Sequence, residues 1–181
     1  MIEVEKKAIT DESVNAEVKK RLAQMGAADL GENNTTSYFF LLEKQQLKLQ
    51  VQDTKKTAKI AWKSGDFDGS SAREEIEVVI PLDQVENSEK LITRLVPDAK
   101  IVKTIQKRHD YAVGKLTIAV KWSENWGFHI ELDTNVETNE DVAHAQKELA
   151  ALANELGVTL MSEQEEKAFV EAILQKINRG S

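Results

Sequence analysis

The 181-residue sequence contains no cysteine, which excludes disulfides, thiolate metal sites and a cysteine nucleophile. Two prolines and eight glycines leave little room for a flexible linker, and no repeat or low-complexity tract interrupts the chain. No apolar run approaches the roughly 18 residues that a membrane helix needs. The N-terminus is acidic where a signal peptide is basic and then apolar, so a cytoplasmic location away from any membrane is expected. Basic residues are outnumbered, 24 to 31, giving a net charge of −7. A nonspecific nucleic-acid binder carries the opposite footprint, and no nucleic-acid partner is expected. A small anionic ligand stays compatible, because local charge can oppose net charge. The length suits one domain over residues 1–181, burying about 70% of its unfolded surface.

What is present is alternation. Residues 2–9 read as a strand with Glu3, Glu5 and Lys7 on one face and Ile2 and Val4 on the other. Same-face neighbours in a strand lie about 6.6 Å apart, so two carboxylates and an ammonium stand in line, a pattern suited to holding a metal cation beside a polyanion. Similar period-2 segments follow at residues 38–42, 47–52, 59–63, 73–80, 101–111, 116–122 and 128–133. Their polar faces carry Lys48 and Gln50, Lys63, Arg73 with Glu75 and Glu77, Arg108, Lys121, and finally His129, Glu131 and Asp133. Short turn-like connections at Ser64-Gly65-Asp66 and Val113-Gly114-Lys115 predict antiparallel neighbours.

Four segments carry a single apolar stripe at helical spacing. One starts at Thr10 or Asp11 and stops at Gly26, and a shorter one starts near Ser88. A third runs from Asn139 to Gly157. The last follows a Ser162-Glu163-Gln164-Glu165 capping box and carries Phe169, Ile173, Leu174 and Ile177. These stripes can cover the apolar strand faces. The Glu163, Glu165, Glu166 run reads most simply as the acidic first turn of that last helix. His129 reads as structural, Trp62 and Trp122 as core outside the sheet beneath the helices, and Trp126 as loop packing near the closing acids.

The polar faces hold charges of both signs. A sheet closed into a tunnel would line it with them. Two carboxylates about 4 Å apart repel by ~4 kcal/mol at an effective dielectric near 20. A divalent cation relieves that repulsion, and the bases then suit a phosphate chain. Magnesium typically takes one or two carboxylates together with phosphate oxygens and water.

In their order these segments resemble the CYTH superfamily, the triphosphate tunnel metalloenzymes that include class IV adenylyl cyclases and thiamine triphosphatases. The resemblance rests on Glu3-x-Glu5-x-Lys7, Ser37-Tyr38-Phe39, Lys48-Leu49-Gln50, Ala61-Trp62-Lys63, Arg73-Glu74-Glu75-Ile76-Glu77, Arg108-His109-Asp110-Tyr111 and Glu131-Leu132-Asp133, and extends to about residue 156. It implies an α+β fold, an eight-stranded antiparallel β tunnel surrounded by helices, with a C-terminal helical segment at about 139–178. It implies Mg2+ or Mn2+ on Glu3, Glu5, Glu131 and Asp133, and phosphate on Lys7, Lys48, Lys63, Arg73, Arg108 and Lys121. Glu75 and Glu77 take a supporting role, and Lys7, Glu5 and Glu131 a catalytic one. The implied partner is a small-molecule triphosphate (ATP, thiamine triphosphate or inorganic triphosphate), and the protein a monomer or homodimer. Three positions depart from the pattern. Gln50 replaces a cation, Lys121 stands near a usual aspartate, and Asp133 is shorter than the usual glutamate. These changes bear on turnover more than on binding, and on cyclisation in particular. The expected function is metal-dependent triphosphate hydrolysis; the alternatives are a class IV adenylyl cyclase making cyclic AMP and pyrophosphate, and a noncatalytic triphosphate or polyphosphate binder.

Overall fold

The computed structural model describes residues 1–42, 45–64 and 72–179, so the turn expected at Ser64-Gly65-Asp66 lies outside the described residues beyond Ser64. Nine strands form one antiparallel sheet: β1 (Ile2–Ile9), β2 (Ala28–Glu32), β3 (Thr35–Leu41), β4 (Gln45–Gln52), β5 (Thr57–Ser64), β6 (Ala72–Ile80), β7 (Lys100–Val113), β8 (Leu116–Ser123) and β9 (Gly127–Val136). Eight of them close a ring in the order β7-β3-β4-β5-β6-β1-β9-β8, sealed by pairing of β8 with β7. The expected eight-stranded barrel is therefore present. The ninth strand, β2, was not foreseen; it pairs with residues 109–112 of β7, beyond the stretch paired with β3.

Four helices lie among the described residues, α1 (Glu12–Gln24), α2 (Val85–Leu95), α3 (Asn139–Leu156) and α4 (Glu163–Arg179). Asp11 caps α1 by accepting from the Val14 N–H at 2.9 Å, and Gly26 takes the left-handed φ of 72° that the stop requires. The expected capping box is in place: the Ser162 N–H donates to Glu165 at 2.8 Å, and the Glu165 N–H to Ser162 Oγ at 3.2 Å. The second helix starts three residues before the expected Ser88, after a short 3-10 turn at Leu82–Gln84.

The outer faces of the strands build two cores. The larger packs α1 and α3 against β1, β8 and β9, with Val4, Leu22, Ile118, Ile130, Leu132 and Leu149 fully buried. The smaller packs Ile92 of α2 on Phe40 and Leu49. Contrary to expectation, the helices do not cover every apolar outer face. Ile76 and Val78 of β6 remain 54% and 57% exposed. Trp62 and Trp122 lie outside the barrel as expected, but away from both cores; they meet Gln45 and Lys107 instead. No helix among the described residues is long and apolar enough to cross a membrane.

Candidate functional site

The inner faces of the barrel enclose a cavity of about 640 Å³, within the usual range for small-molecule sites. Every residue expected at the site lines it: Glu3, Glu5, Lys7, Lys48, Lys63, Arg73, Glu75, Glu77, Arg108, Lys121, Glu131 and Asp133. Strand register explains how they meet. Glu3 pairs with Arg73, Glu5 with Asp133, Lys7 with Glu131, Lys63 with Glu75 and Arg108 with Lys121. Directly paired residues point to the same face, so each cross-strand pair delivers two charges to the lumen. Gln50 also lines it, between Ser37 and Lys59.

Among the lining residues that were missed or read otherwise, three bear on the charge of the site or flank it. Lys59 joins Lys63 from β5, Gln46 precedes Lys48 on β4, and Glu166 enters from α4. Glu166 is 8% exposed and accepts from Lys7 Nζ at 2.6 Å, so it is no solvated first-turn acid. The helical phase held the signal. Glu166 shares its stripe with Phe169, Val170 and Ile173, at i+3, i+4 and i+7. A carboxylate on an apolar stripe needs a buried cation.

Basic and acidic side chains are equal in number among the described residues that line the cavity. Seven cations (Lys7, Lys48, Lys59, Lys63, Arg73, Arg108, Lys121) face seven carboxylates (Glu3, Glu5, Glu75, Glu77, Glu131, Asp133, Glu166). Most are already paired. Lys7 bonds Glu5 and Glu166, Lys63 bonds Glu3 and lies 3.6 Å from Glu75, and Lys59 bonds Glu77. Lys121 donates to Glu131 at 2.7 Å, and Arg108 to Asp110 at 2.7 Å. Lys48 has no carboxylate partner among the described residues.

Protonation follows from this pairing. Burial works to neutralise Glu5, but Lys7 and Lys63 outweigh it and the neighbouring Glu131, holding its pKa near 2. Glu131 is likewise held well below the usual carboxylate range, with Lys121 and Lys7 overcoming its burial. Burial opposes the charge of Lys7, yet Glu5, Glu166 and Glu131 keep its pKa raised. The repulsion expected between carboxylates does not rule at Glu5 or Glu131. At Asp133 burial, reinforced by repulsion from Glu5, Glu3 and Glu131, pushes the pKa to about 7, and at Glu75 burial raises it to about 7 against the pull of Lys63. Lys48 is lowered to about 8, first by burial and then by Lys63.

His129 is 1% exposed and held neutral, its pKa near 4, by burial and by Lys121. Its Nδ1 lies 2.9 Å from the Gly127 carbonyl, which only accepts, so Nδ1 carries the proton. Nε2 then turns a lone pair toward Glu131, 3.9 Å away. Trp126 sits between this histidine and α4. Its ring centre lies 5.5 Å from His129, 5.0 Å from Phe169 and 5.5 Å from Lys7 Nζ.

The donor set of Glu3, Glu5, Glu131 and Asp133 is of the chemical kind that a hard divalent cation takes. It consists of carboxylate oxygens alone, and burial together with the neighbouring carboxylates keeps a proton on Asp133 to about pH 7. As they stand, Glu3, Glu5 and Glu131 are held by lysines. No three acidic or imidazole groups among the described residues converge tightly enough to enclose a metal.

No protein-family model matches the chain, and no curated protein matches its sequence. Solved structures do. The PH1819 protein of Pyrococcus horikoshii OT3 superposes with a TM-score of 0.77 at 22% identity, over 96% of this chain and 99% of that one. A putative adenylate cyclase from Vibrio parahaemolyticus gives 0.71 at 15% identity, over 88% and 90%. HpAC1 from Hippeastrum, described as a putative adenylyl cyclase with a dominant triphosphatase activity, gives 0.60 at 17% identity, over 88% and 89%. At these identities the likeness is one of fold. What they share is a closed antiparallel barrel with helices around it, the architecture that the sequence resemblance implied.

Proposed function

We propose that the protein is a divalent-metal-dependent triphosphatase acting on a small-molecule triphosphate inside the barrel. The observation that carries this reading is the balanced, internally paired charge of the cavity. A polyanion entering alone would have to pull lysines from their carboxylates and leave those carboxylates buried and unpaired, which is costly. A cation entering alone would leave the lysines unpaired. Entering together, each takes one half of every broken pair, so the two ligands assist each other by mutual linkage.

Lys7, Lys48, Lys63, Arg73, Arg108 and Lys121 hold the phosphate oxygens in this reading. Glu3, Glu5, Glu131 and Asp133 would hold Mg2+ or Mn2+, with Glu75 and Glu77 keeping the bases in place. When bound, such a cation neutralises phosphate charge and orients water. In the hydrolysis, a water oxygen bonds to the terminal phosphorus while its bond to the bridging oxygen breaks. Lys7, set by Glu5 and Glu166 and facing Glu131 across the strand pair, stabilises the charge that develops on the phosphoryl oxygens.

A second reading, cyclisation of ATP by attack of the ribose 3′ hydroxyl on the alpha phosphorus, is favoured by the cyclase descriptions of two neighbours of this fold. A noncatalytic binder is favoured by Lys121, which occupies Glu131. Product analysis with ATP and with inorganic triphosphate, each with Mg2+ and with Mn2+, separates the three. Orthophosphate is the expected product. Cyclic AMP with pyrophosphate establishes the second reading, and binding without product the third.

A further inference from the structure

The ring of strands is not paired to the same depth all round. β1 pairs with β6 only over residues 72–74. Residues 76–80 of β6 pair with β5 on one side and, among the described residues, with no strand on the other. The Glu75 N–H donates to the Met1 carbonyl and so marks that second side. Backbone groups alternate sides along an antiparallel strand. The N–H and C=O of Glu77 and Val79 therefore point to the open edge. Val79 is 76% exposed there, beside the exposed Ile76 and Val78.

An open edge is usually blunted by charge, proline or a covering group. The barrel's other open stretch is treated that way. Residues 100–105 of β7 lack β8, which joins only from Gln106. There Lys103 stands between Ile101 and Ile105, and Glu124 accepts from the Ile105 N–H at 3.5 Å. Ile76-Glu77-Val78-Val79-Ile80 has no lysine, no proline and four β-branched apolar residues. It is a template for one more strand.

The edge is complementary to itself. Antiparallel pairing centred on Val78 sets Glu77 opposite Val79 of a second copy and Val79 opposite its Glu77. All the free N–H groups of both copies then find carbonyls. Val78 faces Val78, and Ile76 faces Ile80. No like charges are opposed, and Glu77 keeps its bond to Lys59. Centring on Glu77 would oppose two carboxylates, and centring on Val79 would set Glu77 against Pro81, which has no N–H. Ile80 belongs to the small core under α2, so the Val78 register brings the second copy's covered core beside the uncovered Ile76.

We propose that the β6 edge is the interface on which a second copy of this chain adds its own β6, antiparallel and centred on Val78. The contact is isologous and closes at two copies. It is small, so the dimer is weak and concentration-dependent. It is independent of the triphosphate reading.

Sedimentation equilibrium of the untagged chain between about 5 and 500 µM, a range suited to a small interface, tests this. The average mass should climb from one chain, 20.3 kDa, toward twice that. Val78→Lys sets two ammonium groups face to face, and Val79→Pro removes a free donor; both should stay at one chain mass. The sequence has no cysteine, so Val78→Cys can link only to a second copy. Opposed residues that exchange no hydrogen bonds lie about 4.5 Å apart at Cα, within reach of a disulfide. Oxidation should cross-link Val78→Cys at least tenfold faster than Val79→Cys, whose partner lies on the diagonal. A single chain mass for wild type at every concentration overturns the interface. Dimers that Val78→Lys and Val79→Pro leave unchanged, or equal cross-linking at 78 and 79, do the same. Where a variant fails to fold, hydrogen exchange on wild type decides. The Glu77 and Val79 amides should exchange at least fivefold more slowly at the highest concentration than at the lowest, and exchange that ignores concentration overturns the proposal.

Discussion

Glu166 of α4 reaches into the barrel and accepts from Lys7 Nζ at 2.6 Å, joining residues 159 positions apart in the chain. A second link holds the same place, since the Met161 N–H donates to the Lys7 carbonyl at 2.8 Å. The carboxylate thus occupies a lysine that the proposed reading gives to phosphate.

Replacing Glu166 by Gln removes that competitor. Triphosphate affinity should rise about five- to tenfold, within the scale of one hydrogen bond to a charged group. Calorimetry reads this directly, and unchanged or weaker binding would show that Lys7 does not meet the ligand.

Because both charge signs are balanced inside the barrel, triphosphate should raise the melting temperature markedly only when Mg2+ or Mn2+ is present. Ligands that bind only the folded state stabilise it. An equal shift in EDTA would leave a purely cationic site and refute the exchange of partners proposed here.

Asp133 and Glu131 should behave oppositely. The folded state raises the pKa of Asp133 to about 7, so it holds a proton that the unfolded chain has already lost. Stability from this residue is present at low pH and lost as pH climbs from about 4 to 7. Asp133→Asn should therefore stabilise the metal-free protein by roughly 1–3 kcal/mol at pH 8, and by much less at pH 5. Glu131→Gln instead strands Lys121, which is 4% exposed. It should destabilise by about 3–5 kcal/mol, the usual result of breaking a buried pair. Urea unfolding at the two pH values checks both signs, and stabilisation by Glu131→Gln would mean that repulsion dominates there after all.

Lys48 predicts a pH dependence of binding. Its pKa of about 8 rises when an anion arrives, so above pH 8 binding must take up a proton. Above pH 8, affinity for triphosphate should fall by up to about tenfold per unit from this residue. Lys48→Arg keeps its charge throughout, and the fall should vanish. Persistence of the same fall in that variant would assign it to another group.

Most of the barrel was legible because period-2 alternation survives wherever one strand face meets a helix and the other a lumen. Lys48, Lys63 and Arg108 were readable for that reason. β2 was not, since Ala28-Asp29-Leu30-Gly31-Glu32 has neither alternation nor β-branched residues, and it exists only by pairing with β7. The partner choices were also beyond local pattern. Whether Glu131 meets Glu5, Lys121 or a metal depends on register around a closed ring. The uncovered Ile76 and Val78 show the same limit from outside, because an apolar stripe says that a face is apolar and not that a helix will reach it.

Ring closure through β1, which pairs with both β6 and β9, also has a consequence for the order of events during synthesis. The chain's first strand completes its pairing only after its last strand has been made. Until residues 127–136 leave the ribosome, Glu3, Glu5 and Lys7 have no ring to belong to, and a nascent chain must shelter them through more than a hundred residues of elongation. Contacts of such long sequence separation fold slowly. The ring, and with it the lined cavity, is complete only once β9 has been made.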